Sequence, residues 1–181
     1  MKELNFKINK SWTLFLDRDG VINKRNFNGY ITSVEEFIFY EKALEAICHL
    51  SRLFGKIIIV TNQQGIAKKS MTKRNLEEIH RYMLEEIYKA GGKVDAIFVA
   101  DNLKNAKNDR RKPLPTMAFE AKEQFPTIDF EKSVMVGDTD SDIKFGMNLG
   151  MKTIGVRSDE ILSVAPTILV DDLMELYKKL R

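Results

Sequence analysis

The chain has 181 residues, 44% hydrophobic and 30% charged, and its 29 basic and 26 acidic residues leave a formal net charge of +3. That length and balance fit one globular domain spanning residues 1–181, and so small a surplus gives no footing for nucleic-acid or membrane binding by bulk charge. The single cysteine, Cys48, excludes an intrachain disulfide and any zinc site built on several thiolates. Residues 1–10 lack the continuous apolar stretch of a signal peptide, and no run approaches a membrane span, so a cytoplasmic, monomeric protein is expected.

In chain order, the apolar run Trp12 to Leu16 reads as a buried strand and ends directly on Asp17-Arg18-Asp19-Gly20. Val21 to Tyr40 then shows neither helical nor strand periodicity. Glu41 to Phe54 carries Ala43, Ala46, Ile47, Leu50 and Leu53 at helical spacing, with Cys48 as a small buried position. Lys56 to Val60 is a second strand, followed by Thr61-Asn62-Gln63-Gln64-Gly65, and Thr72 to Ala90 a second helix carrying Leu76, Ile79, Met83 and Ile87. Val94 to Val99 is a third strand, Ala100 to Lys112 a second aperiodic segment, and Ala118 to Phe125 a helix after Pro113-Leu114-Pro115. Ser133 to Val136 leads into Gly137-Asp138-Thr139-Asp140-Ser141-Asp142 and a short helix, Ser141 to Leu149, closed by Gly150. Lys152 to Val156 and Thr167 to Val170 complete the strands, and Asp171-Asp172 opens a last helix, Leu173 to Leu180. His49 and His80 fall inside helices and read as surface or core positions.

This alternation is that of an α/β protein with a mainly parallel sheet, in which ligands bind outside the carboxyl ends of the strands. Both aperiodic segments leave such ends, and so do the polar clusters. Two carboxylates at the end of a buried strand are costly without a cation or a substrate to use them. Asp-x-Asp-Gly by itself is expected in roughly four chains in a hundred of this length, so the residues that leave the other strands carry more weight. Asp17 and Asp138 can present oxygens to a hard cation such as Mg2+. Thr61 and the backbone amides around Asn62 can cradle phosphate oxygens, and Lys112 adds the compensating positive charge. The set suits phosphoryl transfer.

In order and spacing these clusters resemble the motifs of the haloacid-dehalogenase-like (HAD) phosphotransferase superfamily. Phe15 to Asn23 is similar to its first motif, Val60-Thr61-Asn62 to its second, Lys112 to its third and Gly137 to Asp142 to its fourth. Gly29-Tyr30, Thr61 to Ala67 and Arg111-Lys112-Pro113 further resemble the subfamily of heptose-bisphosphate and histidinol-phosphate phosphatases. The resemblance implies a Rossmann-like core without a large cap domain, covered by loops, here 23–32 and 100–111. It implies Asp17 as nucleophile, Asp19 as general acid and base, and catalytic support from Thr61 and Lys112. Mg2+ would be held by Asp17, the Asp19 backbone carbonyl and Asp138, with Asp142 as support or alternative ligand. Gly29, Tyr30, Asn62, Gln63 and Arg111 would contact a small phosphorylated substrate, with heptose bisphosphate first, histidinol phosphate or another sugar phosphate second, and nucleic acid disfavoured.

Two departures stand out. The heptose subfamily usually carries three cysteines and a histidine as a zinc-binding loop before Arg-Lys-Pro, and Ala100 to Arg110 contains none, so no zinc is expected. Thr139 stands where those relatives tend to place a lysine.

Overall fold

The computed structural model describes residues 7–181. Its sheet has six strands in the order β3-β2-β1-β4-β5-β6: β1 Thr13–Leu16, β2 Lys56–Asn62, β3 Ala96–Ala100, β4 Ser133–Gly137, β5 Lys152–Val156 and β6 Ile168–Val170. Every pairing is parallel. The helices are α1 Ala43–Leu53, α2 Lys73–Lys89, α3 Thr116–Gln124, α4 Asp140–Asn148 and α5 Leu173–Leu180. The α/β architecture with a parallel sheet is thus the one the alternating pattern predicts.

Because successive strand residues point to opposite faces, the apolar runs feed two cores at once. Leu14, Leu16, Ile57 and Ile59 pack with the buried stripes of α1, α2 and α5, whereas Phe15, Ile58 and Val60 pack with Met117 and Ala121 of α3 and Phe145 of α4. A strand buried on both sides must be continuously apolar, which is why these runs are so legible.

Boundaries moved where polar residues join an element. β2 runs on through Thr61 and Asn62, because pairing with Val99 and Ala100 of β3 satisfies their backbone. α2 begins after Thr72, whose hydroxyl accepts from Asn75 N at 3.1 Å while Asn75 caps in return.

The register positions the site. Leu16 pairs with both Ile59 and Val136, so β1 and β4 end within a residue of each other, while β2 runs three residues further, to Asn62. The chain winds outward from β1 to β3, then jumps back to β4 and winds the other way. The crevice at that reversal, between β1 and β4, is where such sheets bind ligands. The segments after β1 and β3 are loops rather than a folded cap, and no helix of the described residues is long and apolar enough to cross a membrane.

Candidate active site

Asp17 leaves β1 with its backbone N–H donating to Val136 O at 2.9 Å, which seats it beside the end of β4. Lys112 comes from the distant loop. Its ammonium lies 2.8 Å from Asp17 Oδ1 and 2.6 Å from Asp142 Oδ1, and donates to Val60 O at 2.8 Å. The backbone of Lys112 is clamped by Asn62, which accepts from Lys112 N at 2.9 Å and donates to Lys112 O at 3.2 Å. Asn62 lines the cleft, but its side chain is committed to placing the lysine.

Asp17, Asp138 and Asp142 are buried, and each offers a carboxylate oxygen within 4.8 Å of the others. Asp138 Oδ1 is buried without a hydrogen bond. Asp142 Oδ1 also lacks one in direction, although the Lys112 charge is close. Crowded oxygens with free lone pairs suit Mg2+, so the residues fit the cation the motifs imply. The Asp19 carboxylate is not in this group.

The crowding shows in the electrostatics. Burial, reinforced by Asp142 and Asp138, pushes Asp17 up to about 8 against the pull of Lys112. Burial and Asp142 push Asp138 up to about 6, with Arg25 and Lys112 opposing. Burial disfavours the Lys112 charge, yet Asp142 and Asp17 outweigh it and hold the ammonium above its ordinary value. Gly20 lets the acids approach: its φ of 93° is left-handed, and a Cβ there would collide with the Asp138 carboxylate.

Thr139 has a structural use. As N-cap of α4 it donates from its hydroxyl to Asp142 Oδ2 at 2.7 Å, and its N–H meets the same oxygen at 3.0 Å, so it aims Asp142 at Lys112.

Asp19 is ringed by donors: Arg18 Nη2 at 2.8 Å, Gln63 Nε2 at 2.8 Å and Asn23 Nδ2 at 2.9 Å. Burial opposes its charge, but the Arg18 guanidinium and these hydrogen bonds hold the carboxyl below its usual range. Gln63 also donates to Thr61 Oγ1 at 2.9 Å, so its side chain is spent inside the site wall.

Thr61 is 1% exposed at the floor of a cleft of about 580 Å3 that Gly29, Tyr30, Lys68 and Arg111 also line. Tyr30 packs on Gly65, where a Cβ would lie 2.9 Å from its ring, and the Lys68 ammonium is 5.8 Å from the ring centroid. Arg111 Nη1 is buried without a protein partner. Hydrogen bonds order the loop before it. Asp109 accepts from Asn102 Nδ2 at 3.0 Å and from the backbone of Asn105 and Arg111, each at 2.9 Å.

Arg25, which carried no sequence signal, reaches Asp138 Oδ2 at 3.3 Å and Glu160 Oε2 at 3.0 Å. Arg18 is fully buried, and its position between two acids is itself a signal in the sequence.

A parallel sheet carrying aspartates and a buried lysine at its switch point defines a phosphotransferase core of the Rossmann type. The family described as HAD-hydrolase-like matches residues 109–176. A D-glycero-beta-D-manno-heptose-1,7-bisphosphate 7-phosphatase of Helicobacter pylori is 33% identical over 146 residues, covering 80% of this chain and 83% of the relative. The D-glycero-D-manno-heptose-1,7-bisphosphate 7-phosphatase of Chlorobaculum tepidum is 33% identical over 90% of each chain. Among solved structures, the D,D-heptose 1,7-bisphosphate phosphatase of B. bronchiseptica, complexed with magnesium and phosphate, aligns with a TM-score of 0.83 at 26% identity, covering 93% of this chain and 97% of its own. The chain belongs to the haloacid-dehalogenase-like superfamily and is one of its phosphatases, a phosphoric monoester hydrolase.

Proposed function

We propose that this phosphatase removes the 7-phosphate of D-glycero-D-manno-heptose 1,7-bisphosphate, with Mg2+ as its cofactor, as a cytoplasmic monomer. The phosphoryl chemistry is supported by one arrangement: Asp17 at the end of β1, touching Lys112 and sharing an oxygen cluster with Asp138 and Asp142. Supporting the bisphosphate choice are the similar relatives and the Arg111 guanidinium, whose buried Nη1 has no protein partner in the wall of the same cleft. A second phosphate is a fitting partner for a planar fork of donors.

In this reading a carboxylate oxygen of Asp17 attacks phosphorus, and the bond from phosphorus to the sugar oxygen breaks. The leaving oxygen takes its proton from Asp19. Water then attacks the aspartyl-phosphate, Asp19 takes a proton from that water, and the bond from phosphorus to Asp17 breaks to release phosphate and free carboxylate. The donors around Asp19 keep it in the proton-accepting form that the water step needs; the first displacement calls for the acid form, which the negative phosphoryl group of bound substrate would favour. Thr61 hydrogen-bonds a phosphoryl oxygen, and Lys112 offsets its charge while keeping Asp17 aimed. Asp17, Asp138 and the Asp19 carbonyl would hold Mg2+, with Asp142 beside them, and the bound ion would supply positive charge for the phosphoryl oxygens. Gly29 and Tyr30 shape the wall against the sugar, while Asn62 and Gln63 act by placing Lys112 and Asp19.

The test is a steady-state assay with Mg2+ over heptose 1,7-bisphosphate, histidinol phosphate, other sugar phosphates and a 3′-phosphorylated single-stranded DNA. The largest kcat/KM is expected for the heptose bisphosphate, with the 7-phosphate lost. A larger value for histidinol phosphate would replace this substrate assignment.

A further inference from the structure

The sequence leaves His80 as an ordinary helical residue; the structure gives it a partner. Arg18 is 0% exposed, so every one of its donors must find an acceptor inside the protein. Nε and Nη2 are spent on Asp19, at 3.2 Å to Oδ1 for Nε and at 2.9 and 2.8 Å to Oδ1 and Oδ2 for Nη2. Nη1 turns the other way and meets His80 Nε2, on α2, at 3.2 Å, while the guanidinium carbon lies 5.7 Å from the centroid of the Phe37 ring. An arginine only donates, so His80 Nε2 must be the bare nitrogen and the ring proton sits on Nδ1. Burial, with the Arg18 charge, pushes the imidazole down to about 3, which keeps it a neutral acceptor.

We propose that His80 is a positioning residue for Asp19: by accepting from Arg18 Nη1 it fixes the guanidinium so that the remaining edge of the fork is aimed at the Asp19 carboxylate. The inference rests on the reading of Asp19 as the proton-transfer group. Without an acceptor at position 80, Nη1 is left buried and unpaired, and Arg18 must turn to satisfy it, drawing the carboxylate with it. Asn23 and Gln63 still hold Asp19, so its aim suffers more than its charge. Asp17 accepts from the Arg18 backbone N–H at 2.8 Å, but neither it nor Lys112 meets the guanidinium. The defect therefore falls on the two proton transfers assigned to Asp19, to the leaving group and from the water, rather than on attack at phosphorus.

That division gives the test. An alkyl phosphate expels a basic alkoxide that needs a proton, whereas p-nitrophenyl phosphate expels a stable phenolate that does not. With Mg2+ present, His80→Leu is expected to lose about tenfold or more in kcat/KM on a sugar phosphate, and on the order of fivefold less than that on p-nitrophenyl phosphate, kcat/KM being read because it stops at departure of the leaving group and leaves out the water step common to both esters. His80→Gln, whose carbonyl can accept from Arg18, should recover most of the sugar-phosphate rate. Equal losses on the two esters for His80→Leu, or a His80→Gln enzyme as impaired as His80→Leu, would overturn the role. If circular dichroism shows His80→Leu unfolded, Arg18→Lys decides instead: it keeps the charge and loses the fork, so an ester-selective loss supports the role and a uniform loss overturns it. Wild-type protein inert toward both esters would sink the functional reading on which the inference rests, a failure distinct from the other two.

Discussion

The floor of the cleft and its rim are built on opposite principles. On the floor, Asp17, Lys112, Asp138 and Asp142 are all buried, and Lys112 alone ties the ends of β1 and β2 to the start of α4. On the rim, residues 26–29 are exposed and held largely by their near neighbours, as where Asn28 N donates to Asn26 Oδ1 at 3.0 Å. A buried charge must have its partners in place, so the floor admits few arrangements, whereas an exposed loop can change its side chains at little cost. The groups proposed to handle phosphorus are over-determined; those that face the rest of the substrate are not.

Breaking the floor should have the largest effect. Asp17→Asn is expected to lower kcat by roughly a thousandfold or more, as removal of a nucleophile does. The melting temperature of the metal-free protein at pH 7 should not fall, because the substitution removes a desolvated acid. A rate near that of wild type would end the comparison, since the floor would then be packing and not chemistry.

Lys112→Met should unfold more easily by about 3–5 kcal/mol, the cost of leaving buried carboxylates without their cation, measured by urea titration in the absence of metal. A loss below about 1 kcal/mol would show that the lysine is not what reconciles the acids.

The pH dependence comes from the raised acids. Asp17, near 8 in the folded protein, and Asp138, near 6, both lie above the ordinary carboxylate value of 3.8. A group raised on folding contributes stability at low pH and loses it as pH climbs through its folded value. Metal-free protein should therefore become less stable between about pH 4 and pH 8, and Mg2+, which requires ionised ligands, should flatten that slope. Thermal melts across this range with and without Mg2+ check it, as does proton release on adding Mg2+ at pH 7.

The rim should respond more gently. Arg111→Gln is expected to raise KM for heptose bisphosphate about tenfold with kcat little changed, the mark of binding lost equally from ground and transition states. A matching fall in kcat would mean that rim and floor are not separable at this position.

Much of this was open to reading from the chain. Runs such as Ile57-Ile58-Ile59-Val60 announce strands because a parallel strand between two helical layers has no polar face, and the acids after Leu16 and Val136 are conspicuous because nothing else at a buried strand end would tolerate them. What stayed hidden are pairs that lie far apart in sequence, such as Arg18 with His80, 62 residues apart, and Arg25 with Glu160, 135 apart. The positions of Asn62 and Gln63 after a strand end point to the cleft they line, but their commitment to Lys112 and Asp19 has no mark in the sequence.

By itself, then, the sequence determined the alternating fold and the chemical groups gathered at the strand ends, because burial periodicity and charge are local properties of the chain. Only the tertiary structure decided which of those groups touch one another and which are spent on placing a neighbour. Contact is set by strand register and by where loops return, and no single segment carries that information.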